Sequence, residues 1–515
     1  MIYDKNYYLD TFHVSEEDMR KLAAEGLRYG GDFCDLYFEN TSFRDLLLRD
    51  GKVSSGGFHI DFGVGIRVLK EEKTGYAYSE STDYASMKSA AAAAAAIAMS
   101  SGASSAPMKV GASGELVESQ VAKLIRDAKD RAAAYTAVEN NGGRPVRRFF
   151  KGEPNRAADR YPMLKDWREA ELESMLPYLY KLDSAVKAKD SRAVKVIAMI
   201  TSSVSDILMY NSFEEMKYDT RPMGSISATV VFMQNGAVEN KSVSRSFRMG
   251  AEMLSDSIIE EMAEQVVRGV DERFEARRPK GGRMPVVMGA GASGILLHEA
   301  MGHAFEADFN RKGQSIFSGK MGQQVCPKGI NIIDDGTISA NRGAVNFDDE
   351  GVPGQKTYMV EDGVLCSYLH DRISAKYYGV TATGNGRRES FRYNPIPRMR
   401  ATYMESGNAT KESIIASVRK GIYVDQFSNG QVKIGEGDFT FFVKSGFLIE
   451  NGRLTAPVKD INIIGNGPQA LADIEAVADD LTIDNGTWTC GKEQSAMVSC
   501  GIPTVLVNNL TVGGE

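Results

Sequence analysis

Two histidines flank a glutamate-containing stretch at His298-Glu299-Ala300-Met301-Gly302-His303, in a chain with five histidines in all. Imidazole is the commonest zinc ligand, and a glutamate beside a metal-activated water is the usual general base of metal-assisted hydrolysis. The chemistry to which this segment points is metal-dependent hydrolysis. The familiar spacing for such a site is His-Glu-x-x-His, with both rings on one helix face. Here one more residue intervenes. On a regular helix, five steps turn the second ring roughly 140° away from the first. The two can share an ion only if the helix bulges, ends or kinks between them. A π-type turn closes over i, i+5 and occurs mostly at functional sites. Gly302 offers a point where the backbone can give way at low cost.

A catalytic zinc takes three protein ligands and keeps one position open. Glu306 and Asp308 follow on the same segment, though Glu306 is so close in sequence that its geometry would be strained. More distant donors are Cys326, Cys366, His370, Cys490 and Cys500. Cys490 lies in a polar loop and is followed by glycine, which ranks it slightly ahead. Cys34, Cys366 and Cys500 lie among apolar or small residues and read as buried structural thiols. Spacing alone leaves the third donor open.

Other elements must hold this segment in place. Ser15-Glu16-Glu17-Asp18 reads as a capping box opening a helix to about Leu27. Strand patterns follow from Phe33, with Asp50-Gly51 as a hairpin turn. The run Ala90–Ala96 reads as a helix packed on that sheet, since alanine is the best helix former. Residues 139–160 are polar and rich in Gly and Arg, and read as a loop whose Arg147-Arg148 is solvated surface. Helical patterns resume over Met163–Ala188. Strands return from Val194, with a turn at Asn235-Gly236. The apolar stripe Ile258, Ile259, Met262, Val266, Val270 and Phe274 predicts one amphipathic helix over Ser255–Arg278.

A linker-like stretch, Arg278–Arg283, marks a domain boundary, followed by the strand Met284–Met288. Gly289-Ala-Gly-Ala-Ser-Gly294 spells the dinucleotide fingerprint. No second strand ending in an acidic residue follows at the required distance. These glycines are read instead as a tight turn and a close backbone approach near the metal. Downstream, turn signals at Asp335-Gly336, Asp362-Gly363, Asn429-Gly430 and Asn451-Gly452 separate strand-like segments. Two short helices are expected, near Lys411–Lys420 and Pro468–Ala478. The expected class is α+β. A mixed helix and sheet domain over 1–283, loop-rich near 139–165, precedes a β-rich, mostly antiparallel domain over 284–515 that carries the metal-site helix.

Composition excludes several roles. With 43% hydrophobic and 25% charged residues, the 515-residue chain reads as soluble and globular. A net charge of −7 argues against nucleic acid or an anionic membrane as the main partner. Five cysteines, an odd number, make no disulfide framework and suit a reducing cytoplasm. The N-terminus lacks the basic and apolar regions of a signal peptide. No stretch is apolar enough for a membrane span.

The segment Leu297-His-Glu-Ala-Met-Gly-His-Ala-Phe-Glu-Ala-Asp-Phe-Asn-Arg-Lys-Gly313 resembles the signature of the TldD/PmbA peptidases, TldD branch. Similarity extends through Gly63-Val-Gly-Ile-Arg-Val, Lys73-Thr-Gly-Tyr-Ala-Tyr, Asp348-Asp-Glu-Gly-Val-Pro-Gly-Gln, Thr383-Gly-Asn-Gly-Arg-Arg-Glu-Ser, Cys490-Gly-Lys and the ending Leu510-Thr-Val-Gly-Gly. The resemblance implies one zinc per catalytic chain, held by His298, His303 and Cys490, with Glu299 as general base. It also implies a PmbA-like (TldE) partner subunit, with a homodimer as the other possibility. One departure stands out: after Cys490-Gly-Lys-Glu the family pattern continues Gly-Gln, whereas here Gln494 follows directly.

The expected activity is hydrolysis of unfolded or short peptides, bound by strand addition to a sheet edge. His370, Arg387 and Arg388 are candidate oxyanion donors. Gly384 and Gly386 suit a loop whose backbone approaches substrate. The competing expectation is a non-catalytic assembly or regulatory protein, such as the gyrase modulator once suggested for this family, whose structural metal site a fourth ligand would close.

Overall fold

The computed structural model describes residues 3–100, 108–110, 159–161 and 163–514; of 108–110, 428 and 429 only the backbone is described. The expected 139–160 loop and Arg147-Arg148 lie, up to residue 158, outside the described residues.

Seven strands form the first sheet: β1 (Phe33–Arg49), β2 (Lys52–Lys70), β3 (Lys73–Ser79), β4 (Met108–Val110), β5 (Ala193–Asn211), β6 (Met216–Gln234) and β7 (Ala237–Phe247), in the order β4-β3-β2-β1-β5-β6-β7. The Asp50-Gly51 and Asn235-Gly236 turns form with positive φ at both residues, as the hairpin twist requires. Strand alternation sorts the side chains of β1. Leu36, Phe38, Leu46 and Leu48 pack under helices, whereas Tyr37 packs with Phe347 and Phe391 of the C-terminal half.

Helices α1 (Lys5–Phe12), α2 (Glu16–Leu27) and α3 (Tyr84–Met99) cover one end of this sheet. The capping box at Ser15 and Asp18 forms. The alanine run makes α3 a smooth cylinder that lies almost directly on β3. A Cβ at Gly75 would stand 1.9 Å from the Ala94 carbonyl oxygen. The helices Leu172–Lys189 and Asp256–Val267 cover the other end.

Two expected helices are shorter than their patterns. Met163–Ala188 narrows to Leu172–Lys189, and Met163 and Trp167 are buried against the same core from an irregular segment. Ser255–Arg278 divides at Gly269, whose φ of +73° ends the first helix and restarts a second at Val270–Glu275. The stripe survives the break, since Ile259, Met262, Val266 and Val270 remain buried.

The C-terminal half builds two large sheets around the metal-site segment. Strand β8 (Gly282–Met288) pairs with Lys420–Val432 and Val505–Gly513. The path continues through Ile461–Asn466 to Asp438–Glu450, which pairs back with Lys420–Val432 and closes a circuit. The second sheet runs Val364–Leu365, Lys356–Glu361, Ile332–Asp335, Ala401–Met404, Ser499–Ile502, Thr482–Ile483. Pairing is mostly antiparallel, with parallel exceptions at β8 with Lys420–Val432 and at Ala401–Met404 with Ser499–Ile502.

Asn429-Gly430 is not a turn. Both residues pair with the strand Asp438–Glu450, and a Cβ at Gly430 would fall 2.4 Å from the Phe441 ring, so close approach to that ring requires the glycine. Short helices form at Lys411–Ser417 and Gly467–Ala472 near the expected places, and a further one at Arg372–Tyr378 carried no recognised signal. Among the described residues, no helix is long and apolar enough to cross a membrane.

Buried ion pairs join the two halves. Arg67 bridges Asp35 at 2.5 Å and Glu350 at 2.6 Å, and Arg221 bridges Asp219 and Asp349. Glu39 accepts from the Phe391 N–H at 2.7 Å. Burial pushes the Glu39 carboxyl up to about 7 and that of Asp371 up to about 6; Asp348 is also raised, by burial and by Glu350. A carboxyl raised on folding holds its proton in the native state where the unfolded chain has lost it. Its stabilising contribution is complete below about pH 4 and disappears as pH rises through the folded value. Glu39→Gln should therefore lose less stability than the parent between pH 5 and 8, by up to about 3 kcal/mol. Denaturant midpoints across that range check this; parallel curves for the two proteins would refute it.

Candidate metal centre

The segment that opens the site leaves β8 through the glycine run. Gly289 N–H donates to Val424 O at 2.8 Å and Gly291 N–H to Ile502 O at 2.9 Å. Gly291 takes φ +88°, and a Cβ at Gly294 would lie 2.6 Å from the Gly501 backbone nitrogen. These glycines give the expected tight turn, and the close approach that they make is to the strand Ser499–Ile502. One helical turn follows at Ile295–Leu297, then a π-turn over His298–Gly302, then a 3-10 turn over His303–Phe305. The His303 N–H donates to His298 O, which is the i, i+5 bond that the histidine spacing requires. Leu296, Leu297, Ala300, Met301, Ala304 and Phe305 are buried in the C-terminal core and anchor the distorted turn.

Gly302 serves a different purpose from the one expected. Its φ of −55° and ψ of −52° are ordinary helical values. A Cβ there would stand 2.1 Å from Met399 Sδ, so the position needs the absence of a side chain rather than backbone freedom.

The π-turn brings the two imidazoles to 5.1 Å between centroids, at 81° to one another. Cys490, on the hairpin of Thr489–Lys492 with Gln494–Met497, places Sγ 3.2 Å from His303 Nε2. One donor atom from each of His298, His303 and Cys490 lies within 4.8 Å of the others, and all three residues are buried. Two imidazoles and a thiolate are a donor set that suits zinc.

Charge around the three donors is already arranged. Burial raises the Cys490 thiol, but the neighbouring imidazoles outweigh it and bring it down to about 4. Burial disfavours a charged His303, yet the Glu306 carboxylate and the Cys490 sulfur raise it to about 10. His298 is shifted the same way by Cys490. Glu299, half-buried beside His298, is raised chiefly by burial.

Glu306 is not placed as a ligand. Its Oε2 accepts from His303 Nδ1 at 3.0 Å and from Lys492 Nζ at 3.0 Å. Despite full burial, Lys492, His303 and Arg398 hold its carboxyl down at about 2. A carboxylate on Nδ1 fixes the ring and leaves Nε2 free to face an ion. Asp308, the other nearby alternative, pairs with Lys492 at 2.8 Å. Arg398, almost fully buried, donates to Cys490 O at 2.8 Å and to Gln494 O at 2.7 Å, with Nε 3.9 Å from Glu306 Oε1. Arg398 and Lys492 thus tie the cysteine hairpin to the histidine segment; Arg398 carried no signal in the sequence, and Lys492 stood there only within the family-like Cys490-Gly-Lys. Glu306→Gln should lower zinc affinity by about 10–100-fold; competition with a chromophoric chelator measures it, and unchanged affinity would remove Glu306 from the site.

The hairpin that departs from the family pattern closes tightly. Lys492 pairs with Gln494, and Glu493 between them takes φ +56°. Gln494 accepts from the Glu389 N–H at 2.7 Å.

The other site candidates are placed as follows. His370 packs against Tyr368 and Tyr378, and burial lowers it to about 4. Arg387 donates to Met399 O and Met497 O, and Arg388 to Tyr76 Oη and Asp349 O. A Cβ at Gly384 would meet Pro353 O at 2.7 Å, and one at Gly386 the Glu350 carboxylate at 2.6 Å. Both glycines face the loop that carries Asp348, Asp349 and Glu350. Among the remaining cysteines, Cys34, Cys326 and Cys500 are buried, whereas Cys366, expected to be buried, is exposed.

Comparison with known proteins agrees across the chain. Three domain models of one family match: "PmbA/TldA metallopeptidase domain 1" over residues 34–98, the central domain over 165–271 and the C-terminal domain over 281–514. A "Metalloprotease TldD homolog" of Haemophilus influenzae is 36% identical over 489 residues, covering 94% of this chain and 93% of that one. A "Zinc metalloprotease TldD homolog" of Saccharolobus solfataricus is 31% identical over 258 residues, 50% of this chain and 57% of that one. The crystal structure of TldE from Thermococcus kodakarensis shares the fold, with a TM-score of 0.70 at 19% identity over 96% of this chain and 100% of that one. On these matches, the chain belongs to the PmbA/TldD family of metallopeptidases.

Proposed function

We propose that this chain is the zinc-bearing, catalytic type of subunit in its family and cleaves unfolded or short peptides. The observation that carries the reading is the convergence of His298, His303 and Cys490 donor atoms within 4.8 Å, next to Glu299. One zinc per chain held by these three residues would polarise a peptide carbonyl and activate water. Glu299 takes the proton from the attacking water and hands it to the leaving amine. Glu306, in contact with His303 Nδ1, would fix that ring and leave Nε2 free to hold the ion.

Substrate positioning falls to the strand Lys420–Val432. It pairs with β8 only through Ile422–Val424. Beyond that, Asp438–Glu450 is its only strand neighbour among the described residues, which leaves its other edge without a paired strand. The strand passes the base, since a Cβ at Gly430 would be 3.4 Å from Glu299 Cγ. An extended peptide adding to that edge would be held through its backbone, which favours broad specificity. His370, Gly384, Gly386, Arg387 and Arg388 bear on the reaction through the scaffold, because their contacts lie within the protein. The working assembly pairs this chain with a TldE-like subunit or with a second copy. A reducing cytoplasm suits a site that depends on a free thiolate at Cys490.

The competing reading, a structural metal in a non-catalytic protein, needs a fourth ligand. The acid best placed for it, Glu306, is engaged by His303 and Lys492. Removing metal with a chelator should abolish cleavage of a denatured protein substrate, and one equivalent of Zn²⁺ should restore it while Mg²⁺ does not. Undiminished cleavage by chain verified to be metal-free would overturn the proposal.

A further inference from the structure

Arg248 follows the end of β7 and retains 9% exposure. Its N–H donates to Ala340 O at 2.9 Å, which seats it against the 336–343 loop. Its guanidinium has no hydrogen bond and no ion pair among the described residues: Nε is buried without a partner, and the group lies 5.7 Å from the Tyr161 ring centroid. Arg342, two residues beyond Ala340 and 6% exposed, donates to Trp488 O at 2.9 Å, to Ser246 Oγ and to Thr489 Oγ1 at 3.4 Å. Arg387 has only the carbonyls of Met399 and Met497.

Arg342 and Arg387 thus bond carbonyls at the base of the Cys490 hairpin, and Arg248 lies two residues beyond Ser246, which accepts from Arg342; none of the three has a carboxylate partner among the described residues. Burial depresses all three, and Arg248 further depresses both Arg342 and Arg387. The nearest acids are occupied. Asp219 accepts from Tyr161, Arg221 and Asn346, and Asp349 from Arg221 and Arg388.

A guanidinium does not shed its proton in a protein, so its burial without a counter-charge is costly unless something offsets it. We propose that Arg248, backed by Arg342 and Arg387, forms a binding site for a small oxyanion, a carboxylate or a phosphate, beside the hairpin that carries Cys490. The planar fork of Arg248 suits two-point binding of either group. The proposal stands apart from the peptidase reading.

The test uses the zinc-loaded full chain at constant ionic strength, with acetate and inorganic phosphate titrated separately and binding followed by calorimetry and by thermal midpoint. The parent should show saturable binding and a rising midpoint. Response to both anions marks a general oxyanion site, to acetate alone a carboxylate site, and to phosphate alone a phosphate site. Arg248→Met should weaken binding about tenfold or more and match or exceed the parent's midpoint without anion, because a buried unpaired charge is gone. Arg248→Gln, which keeps a polar side chain, should weaken binding likewise if the methionine variant does not fold. Binding unchanged in a folded Arg248 variant, including binding that belongs to the zinc, overturns the proposal. So does the lack of saturable binding by either anion.

Discussion

Glu299→Gln should keep its zinc and lose about 10²–10⁴-fold in kcat on an unfolded peptide substrate. The substitution preserves size and removes only the proton acceptor. Glu299 is not among the three residues whose donor atoms converge, so the ligand set remains. It sits in the π-turn directly after His298, half-buried, and its carboxyl is raised by that burial. A base of raised affinity for protons can accept one from water and release it to an amine. Metal analysis and kinetics on the same preparation check both halves. A variant that holds zinc and cleaves at the parent's rate would place the base elsewhere.

Cys490→Ser should lower zinc affinity by more than about 100-fold, beyond what loss of a supporting contact costs. A serine hydroxyl does not ionise near neutral pH, whereas the Cys490 thiol is brought down to about 4 by the two imidazoles. The fold should survive, because Cys490 is a free cysteine and Arg398 still holds the hairpin through the residue 490 carbonyl. Zinc stoichiometry after dialysis, with far-ultraviolet circular dichroism as the folding control, gives the result. Full retention of metal would move the third donor to Glu306 or Asp308.

Much of the site was legible because it is local. Helical geometry alone required a distortion between His298 and His303, and the i, i+5 bond supplies it. The alanine helix, the Ser15 capping box and the hairpin turns at Asp50-Gly51, Asn235-Gly236, Asp362-Gly363 and Asn451-Gly452 are likewise short-range features. Where local signals misled, a distant neighbour was the reason. Asn429-Gly430 reads as a turn, but Phe441 lies where a Cβ at Gly430 would be, and strand pairing prevails. Gly302 reads as a hinge, but Met399 crowds it.

The sequence by itself determined that a chain with this histidine spacing must bend its helix to hold one ion, because backbone periodicity is a property of a few consecutive residues. Residue types and spacing left the third donor undecided, and resemblance alone pointed to Cys490. Only the tertiary structure decided that this thiol meets His303 across 187 positions of sequence. It also decided that Glu306 pairs with His303 and Lys492, and that Arg398 and Lys492 clamp the two segments together. Those outcomes depend on which strands pair and which buried charges find partners, and a linear spacing carries no record of either.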